Sequence, residues 1–231
     1  MVMLKTDKKS ARAIAAAEMA AARSNFYDLM VELLNQLPDE AFLGKIRQCV
    51  FEEIFEGFSA MAYLKSYRSK MEADSAEIIL NELAVDRTRI LRGTGPKELR
   101  PPYEGCYKLD CNLESAAINV RCFYRTAGLM PDVSVTDSPD YICVQMDFMK
   151  QLCLREQRQW SGGHDASATI IRQKEFLENH LGSWAGDYCK QVRQHALTDF
   201  YRGVAVILDT FIAMETKYLN DLLQEHHKPA K

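Results

Sequence analysis

Glycine, proline and long apolar runs are all scarce in this sequence of 231 residues. Its 11 glycines and 7 prolines are few for an all-β protein, in which turns interrupt the chain every few residues. No apolar stretch approaches the roughly 20 residues that cross a bilayer. The run Val204–Leu208, for example, stops at Asp209. These shortages argue against a β-rich fold and against stable insertion in a membrane.

Neither sign of charge dominates the chain. The 29 Lys+Arg and 32 Asp+Glu residues give a formal net charge of −3, whereas nucleic-acid binders usually carry a basic face that displaces counterions. With 47% hydrophobic and 26% charged residues, the composition is that of a globular protein and excludes wholesale disorder. We therefore expect a folded protein without a nucleic-acid partner.

The N-terminus carries lysines ahead of an alanine-rich stretch, which is the order found in a secretory signal peptide. Arg12 and Glu18 interrupt the stretch 11–22, however, and bulky apolar residues are nearly absent from it. Because a signal peptide needs an uninterrupted apolar segment, the pattern favours the start of an exposed helix. The odd number and scattered spacing of the cysteines indicate a cytoplasmic protein.

The chain also lacks the short motifs that mark metal and catalytic sites. The sequence has 7 cysteines, an odd number, and no CxxC pair. This pattern is typical of reduced thiols that act as small hydrophobic side chains, not of disulfides or zinc ligands. No histidine belongs to an HExxH motif, and no GxSxG elbow occurs. The turn Gly93–Pro96 lacks the Gly-Lys-Ser/Thr ending of a phosphate-binding loop. We expect no metal, no cofactor and no catalytic residue.

A period near 3.6 residues runs through nearly every long segment, which predicts helices. Helices are predicted over about residues 10–36, 38–70, 75–93, 113–127, 139–160, 166–181, 184–197 and 199–225. The last carries the clearest apolar stripe, formed by Phe200, Val204, Ile207, Phe211, Met214, Tyr218 and Leu222. Gly57 would bend the second helix. The prediction is one all-α domain, 1–231, of roughly eight to ten helices, with a hinge loop at 128–139.

The segment 138–149 has an unusually wide apolar face, with Asp140 and Asp147 beside it. Its two stripes are Tyr141, Val144, Phe148 and Leu152, and Ile142, Met146, Met149 and Cys153. A Met-rich face adapts to apolar partners of variable sequence, and neighbouring carboxylates suit a peptide with a basic end. A buried core helix capped by Asp140 explains the same pattern equally well.

The irregular stretch 93–112 contains a second candidate surface, the turn Pro101–Gly105. A long loop in a helical protein is often functional. Tyr103 and Tyr107 could pin this loop to the core or line a recognition surface, and the sequence leaves both alternatives open.

Four stretches resemble, in the same order, motifs of the TorD/DmsD/NarJ-type family of cytoplasmic chaperones for molybdenum redox enzymes. Val85–Gly93 resembles the helix that ends in Tyr-x-x-Leu-Phe-x-Gly, and Pro101–Tyr107 resembles the loop Pro-Pro-Tyr/Trp-Glu/Gly-Ser-x-Tyr. Pro139–Met149 resembles the signature Pro-x-Asp-His-x-x-x-Glu-Leu-x-Phe-Met. Gln173–Trp184 resembles the stretch Gln-x-x-Phe-x-x-x-His-Leu-x-x-Trp.

The sequence departs from these motifs at single positions. Tyr141 stands where the family usually has His, and Leu91 stands where Phe is common. The Glu of the signature is replaced by Gln145 or displaced to Asp147.

The resemblance implies a non-enzymatic chaperone that binds the twin-arginine signal peptide of a molybdopterin-dependent oxidoreductase, its apo catalytic subunit, or both. Such a chaperone holds its client for cofactor insertion before export or assembly. The residues expected to contact the client are Tyr103, Glu104, Tyr107, Asp140, Tyr141, Asp147 and Met149. The 128–139 hinge is compatible with a monomer or with a domain-swapped homodimer. The residue patterns also leave open a helical enzyme or a small-ligand-binding regulatory module with an unrecognised site.

Overall fold

The computed structural model describes residues 2–48, 59–108, 113–130 and 138–226. The helices are α1 (Val2–Asn35), α2 (Glu40–Gln48), α3 (Met61–Ala73), α4 (Ala76–Arg92), α5 (Glu104–Tyr107), α6 (Leu113–Ala127), α7 (Ile142–Ser161), α8 (Ser167–Asn179), α9 (Ala185–His195) and α10 (Asp199–His226). A 3₁₀ turn, Leu181–Ser183, joins α8 to α9. Within these ranges there is no β-strand, only an isolated antiparallel bridge between Tyr103 and Tyr141. The predicted all-α fold is confirmed.

The two ends of α4 show how local chemistry sets helix boundaries. At its start, the Ser75 hydroxyl accepts a hydrogen bond from the backbone N–H of Ile78, at 3.5 Å. At its end, Gly93 adopts a left-handed conformation with φ of 62°, and an added Cβ there would lie 2.7 Å from Pro101 Cδ. Only glycine fits both the backbone angle and the space, so Gly93 also fixes where the following loop begins.

Some predicted boundaries shift in the structure, and others lie outside the described residues. Helix α1 begins at Val2 rather than near Ser10, and the helix expected over 38–70 is represented by α2 and α3. The bend expected at Gly57 and most of the 128–139 hinge lie outside the described residues.

Helix α7 lies at the centre of the fold. It packs along α1 and also contacts α8, while α10 packs against α3, α8 and α9. Every residue from Asp140 to Met149 is buried. The apolar face of this segment is wide because neighbouring elements cover the first turns of α7 on all sides. The structure therefore matches the interpretation of a buried core helix rather than an open groove.

A buried polar cluster ties four helices together in this core. Arg23 on α1 donates two hydrogen bonds to Glu215 on α10, at 2.7 and 2.9 Å, and one to Glu156 on α7, at 2.8 Å. Its guanidinium also donates to Gln173 on α8. All four side chains are at most 4% exposed. A buried cation is tolerated here because two carboxylates and an amide satisfy its donors.

Five described cysteines are free thiols: Cys106, Cys122, Cys143, Cys153 and Cys189. Cys49 and Cys111 lie outside the described residues. No helix in the described part of the chain combines the length and apolar character needed to cross a membrane.

Candidate functional site

Two of the motif segments, the loop 101–107 and the start of α7, are joined through their backbones. The N–H of Glu104 donates to the carbonyl of Asp140, at 3.0 Å, and the N–H of Ile142 donates to the carbonyl of Pro102, also at 3.0 Å. The antiparallel bridge between Tyr103 and Tyr141 lies between these two bonds. This pairing fixes the loop against the central helix.

Asp140 holds the loop rather than capping its own helix. One carboxylate oxygen accepts from the N–H of Gly105, at 3.2 Å, and the other accepts from the Ser138 hydroxyl, at 2.5 Å. The N-cap of α7 is Tyr141, whose side chain makes no capping hydrogen bond. Asp140 is 2% exposed and accepts a hydrogen bond from the first turn of α5 instead, so the alternative in which it caps the signature helix is wrong.

Glu104 is the centre of a buried hydrogen-bond network. Its carboxylate accepts from Lys108 Nζ at 2.8 Å and from Gln145 Nε2 at 2.6 Å. His180 Nδ1 lies 3.1 Å from the same carboxylate and donates to it, because an ionised carboxylate only accepts. Gln145 in turn accepts from the indole N–H of Trp184, at 3.1 Å. The network thereby links the loop motif to α7 and to the motif that follows α8.

The charge state of Glu104 follows from this setting. Burial alone would raise the pKa of its carboxyl group, but the hydrogen bonds and positive charge supplied by His180 and Lys108 outweigh burial and lower that pKa. Glu104 is therefore ionised at neutral pH and serves as the acceptor that organises the network.

Glu104 should make the stability of the fold depend on pH. Because its pKa is lower in the folded protein than the value of about 4.3 in an unfolded chain, its stabilisation is present above that value and is lost as pH falls through the folded pKa. We expect Glu104→Gln to lower the free energy of unfolding by about 1–3 kcal/mol near pH 7, and by progressively less below pH of about 4. Urea unfolding from pH 3 to 7 measures this difference.

Glu98→Gln is the matched control, because Glu98 is exposed. Its unfolding midpoint should follow that of the wild type at every pH. A Glu104→Gln deficit of constant size from pH 3 to 7 would contradict the assigned direction of the pKa shift.

Tyr107 anchors the far end of the loop. It is buried, its hydroxyl donates to the carbonyl of Arg100 at 2.8 Å, and that hydroxyl lies 3.0 Å from Gln191 Oε1. The Arg100 guanidinium lies 4.3 Å from the centroid of the Tyr107 ring, and Trp184 packs on the ring with a centroid separation of 5.3 Å. Of the two alternatives for this residue, the contacts match pinning of the loop to the core.

Tyr103 and Tyr141 line an open cleft of about 300 Å³ together with Asn35, Arg87, Thr88, Leu91 and Arg92. We call this the tyrosine cleft. The two tyrosine rings lie 5.3 Å apart, at 39° to one another. Arg87 donates to the carbonyls of Leu34, at 2.9 Å, and Asn35, which places its guanidinium at the C-terminal end of α1. Arg92 is exposed in the last turn of α4.

The structure thus brings together five of the seven residues expected to contact a client. Tyr103 and Tyr141 face the cleft, and Glu104, Tyr107 and Asp140 hold the loop that carries them. The other two lie farther along α7. Met149 is fully buried about 12 Å beyond Tyr141. Asp147 is 7% exposed, with its carboxylate 3.9 Å from Lys150 Nζ.

Sequence patterns alone did not identify the partners of Glu104. His180 and Gln145 lie 76 and 41 residues away in the chain, so no local spacing connects them to the loop. The available signal was that both residues belong to motif segments of the same family, and motifs in one family commonly meet in space. Arg87 and Arg92 also lay in a motif segment, but nothing in the sequence placed them beside the tyrosines.

Comparison with known proteins finds one family model and several proteins named as chaperones that are similar to this chain. Residues 53–190, more than half of the chain, match the family model described as the nitrate reductase delta subunit. The chaperone protein TorD of Vibrio parahaemolyticus is 26% identical over 92 residues, which cover 40% of this chain and 42% of that protein. The perchlorate reductase assembly chaperone protein of Dechloromonas aromatica is 24% identical over 110 residues, covering 48% and 49%. The selenate reductase assembly chaperone protein of Thauera selenatis is 23% identical over 90 residues, covering 39% and 47%.

The chain spans about half the length of the curated relatives that it matches. No solved structure matches it. The family match includes the loop motif, the α7 signature and the His180–Trp184 stretch, which are the segments that converge around Glu104. The chain therefore belongs to the nitrate reductase delta subunit family, and its resemblance to the TorD/DmsD/NarJ-type redox-enzyme chaperones is confirmed.

Proposed function

We propose that this protein is a cytoplasmic, non-enzymatic maturation chaperone for a molybdopterin-dependent oxidoreductase. It would bind the apo catalytic subunit, the twin-arginine signal peptide of that subunit, or both, and hold them until the cofactor is inserted. Membership of the family supports this proposal, as do relatives named for chaperoning or for the assembly of perchlorate and selenate reductases. It would act as a monomer or as a homodimer that exchanges segments at 128–139.

The observation that carries the proposal is the convergence of the family motifs on one open cleft. The Glu104 network holds the loop against α7, and that loop presents Tyr103 beside Tyr141. The partly exposed ring of Tyr103, packed on the buried ring of Tyr141 with hydrogen-bond donors nearby, is suited to a peptide backbone and its apolar side chains. We therefore propose the tyrosine cleft as the client contact.

We propose different roles for the other candidate residues. The carboxylates of Glu104 and Asp140 face inward and are already hydrogen-bonded, so they would position the cleft instead of meeting the client. Asp147 and Met149 would act on a client only through α7, because both are buried. A basic client side chain would then need carboxylates elsewhere on the surface.

Calorimetric titration of a purified apo catalytic subunit, and separately of its signal peptide, tests the function. The wild-type protein should bind at least one of them, and Tyr103→Leu should weaken binding about tenfold, since an interface anchor commonly contributes more than 1 kcal/mol. Tyr63→Leu is the matched control, because Tyr63 is a partly buried tyrosine on α3 that does not line this cleft. Absence of binding by the wild type to both partners would exclude the proposed function.

Asp140→Ala separates positioning of the loop from client contact. We expect a loss of about 1–2 kcal/mol in the free energy of unfolding, because the N–H of Gly105 loses its acceptor. Client binding should weaken as the loop loosens. Thermal unfolding and calorimetry on the same samples measure both effects. Unchanged stability with weakened binding would instead indicate that Asp140 meets the client directly.

A further inference from the structure

The charged side chains that line the tyrosine cleft are all of one sign. Arg87 and Arg92 contribute a guanidinium group each, and no carboxylate belongs to the lining among the residues that the structure describes. The neighbouring carboxylates of Glu104 and Asp140 are 2% exposed and already hydrogen-bonded. The cleft therefore presents positive charge to an occupant.

Both arginines keep hydrogen-bond donors for a ligand. Arg87 uses Nε and one Nη on the carbonyls of Leu34 and Asn35, and its second Nη has no partner in the described part of the chain. Arg92 is exposed, and its side chain makes neither a hydrogen bond nor an ion pair with any described residue. A guanidinium group binds a carboxylate at two points, so the two arginines are suited to an anionic group.

Three helix ends border the cleft and modify this charge. The C-terminal ends of α1 and α4 each bring about half a negative charge, and the N-terminal end of α7 brings about half a positive one. Together with the two guanidinium groups they leave a net positive charge of between about one and two. An anion remains the favoured occupant.

The backbone N–H groups near the cleft are already used, which favours a carboxylate over a phosphate. Phosphate sites usually hold their ligand with free N–H groups at a helix N-terminus. Here the N–H groups of Glu104 and Gly105 donate to Asp140, and that of Ile142 donates to the carbonyl of Pro102. The side-chain donors of the arginines remain, and their planar geometry matches a carboxylate.

An apolar surface lies beside the arginines. The ring of Tyr103 is partly exposed and packs on the buried ring of Tyr141, with 5.3 Å between their centroids. Leu91, which is 7% exposed, lines the same cleft. A ligand that carries a carboxylate next to an apolar side chain would contact both kinds of surface.

A second cleft, of about 460 Å³ between α3, α4 and the start of α10, differs in charge. The carboxylates in its lining, Glu82 and Asp199, are paired with Lys70 at 3.0 Å and with Arg202 at 2.8 Å. Its charges are balanced, so it gives no preference to an anion and serves as a reference site within the same protein.

We infer that the tyrosine cleft binds an aspartate or glutamate side chain of the client. Arg92 and the second Nη of Arg87 bind the carboxylate, and the ring of Tyr103 contacts an apolar residue beside it. This inference deepens the proposed function and rests on it for the source of the acidic segment. The arginines of a twin-arginine segment bind outside this cleft, because like charges repel them from Arg87 and Arg92.

A short peptide tests the cleft without any client protein. Acetyl-Leu-Glu-Leu-amide is titrated into the full chain while backbone amide resonances are followed by NMR. Saturable shifts are expected at Thr88, Arg92 and Tyr103, and none at Thr198 in the second cleft. Acetyl-Leu-Gln-Leu-amide has nearly the same shape without the charge and should bind at least about tenfold more weakly, because hydrogen bonds to charged groups are stronger. Equal affinity for the two peptides would overturn the inference.

Two further ligands separate the carboxylate from other occupants. Acetyl-Leu-Arg-Leu-amide should cause no saturable shifts at Thr88, Arg92 or Tyr103. Inorganic phosphate should shift these resonances only at higher concentration than the glutamate peptide. Tighter binding of the arginine peptide would show that the cleft selects cations, and tighter binding of phosphate would show a phosphate site; either result removes the assignment to an acidic side chain.

One variant and a matched control locate the interaction. Arg92→Gln should weaken binding of the glutamate peptide about tenfold with little change in the melting temperature, because the Arg92 side chain bonds to no described residue. Arg125→Gln removes an exposed arginine from the last turn of another helix, α6, outside the cleft, and should bind like the wild type. Unchanged affinity in Arg92→Gln excludes the tyrosine cleft as the carboxylate site.

Failure of this inference is distinguishable from failure of the proposed function. If the apo catalytic subunit binds the wild type and Arg92→Gln equally, and the glutamate peptide causes no shifts, the chaperone function stands and the carboxylate site falls. If the glutamate peptide binds as described but no client subunit or signal peptide binds, the carboxylate site stands and the client assignment falls.

Discussion

Replacing Arg23 by Met is expected to lower the free energy of unfolding by about 3–5 kcal/mol, the cost of leaving a buried ion pair without one partner. Glu156 and Glu215 are 0% and 3% exposed, and each accepts a hydrogen bond from the guanidinium. Without Arg23, the partners of these two buried carboxylates among the residues that the structure describes are Gln173, Tyr27 and Trp160. Each carboxylate would then be a buried charge without its cation, which is the source of the loss.

Urea unfolding followed by circular dichroism measures this loss. Arg23→Lys keeps the charge but loses the two-point contact with Glu215, so its loss should be intermediate. Arg12→Met removes an exposed arginine from the same helix and should change stability by no more than about 0.5 kcal/mol. A loss below about 1 kcal/mol in Arg23→Met would show that the cluster does not hold α1 against α7, α8 and α10.

Replacing Asp86 by Ala is expected to cost about 3 kcal/mol, because hydrogen bonds to a buried charge are strong and their loss leaves donors unpaired. The Asp86 carboxylate is fully buried. It accepts from the N–H of Leu197 at 2.9 Å, and from the N–H and hydroxyl of Thr198 at 2.8 and 2.7 Å. These bonds attach α4 to the start of α10, so the variant should also loosen the contact between these two helices.

A double-mutant cycle with Thr198→Val checks the assignment. The two substitutions together should cost less than the sum of their separate effects, because they remove the same hydroxyl–carboxylate bond. Glu77→Ala, at an exposed carboxylate on the same helix, should stay within about 0.5 kcal/mol of the wild type. Additive effects of Asp86→Ala and Thr198→Val would indicate that Asp86 acts through other contacts.

The helices were the most predictable part of this protein. The predicted helix 113–127 has the bounds of α6, and Ser75 and Gly93 flank α4 as expected. The apolar period and the residues at helix ends act over one or two turns, so the sequence alone indicates where each helix begins and ends. The start of α1 was misplaced because Ser10 is a residue type that commonly caps a helix, whereas the helix continues back to Val2.

The site was predictable only in part. The motif segments correctly pointed to Tyr103, Tyr141 and their neighbours as one region. No local pattern determines which way the carboxylates in this region point. A carboxylate beside an apolar stripe gives the same sequence pattern whether it faces solvent or a buried histidine. Glu104 and Asp140 were expected to meet a basic peptide, yet their hydrogen bonds turn them toward the protein.

The order of the motifs and the period of the apolar residues were enough, without coordinates, to indicate an all-helical chain of the redox-chaperone family. Tertiary packing decided which polar groups remain available to a partner. Arg23 and Glu215 are separated by 192 positions, and Glu104 and His180 by 76, so only the arrangement of the helices determines that they meet. The same arrangement buries the carboxylates of Glu104 and Asp140 and leaves the tyrosine cleft open beside α4.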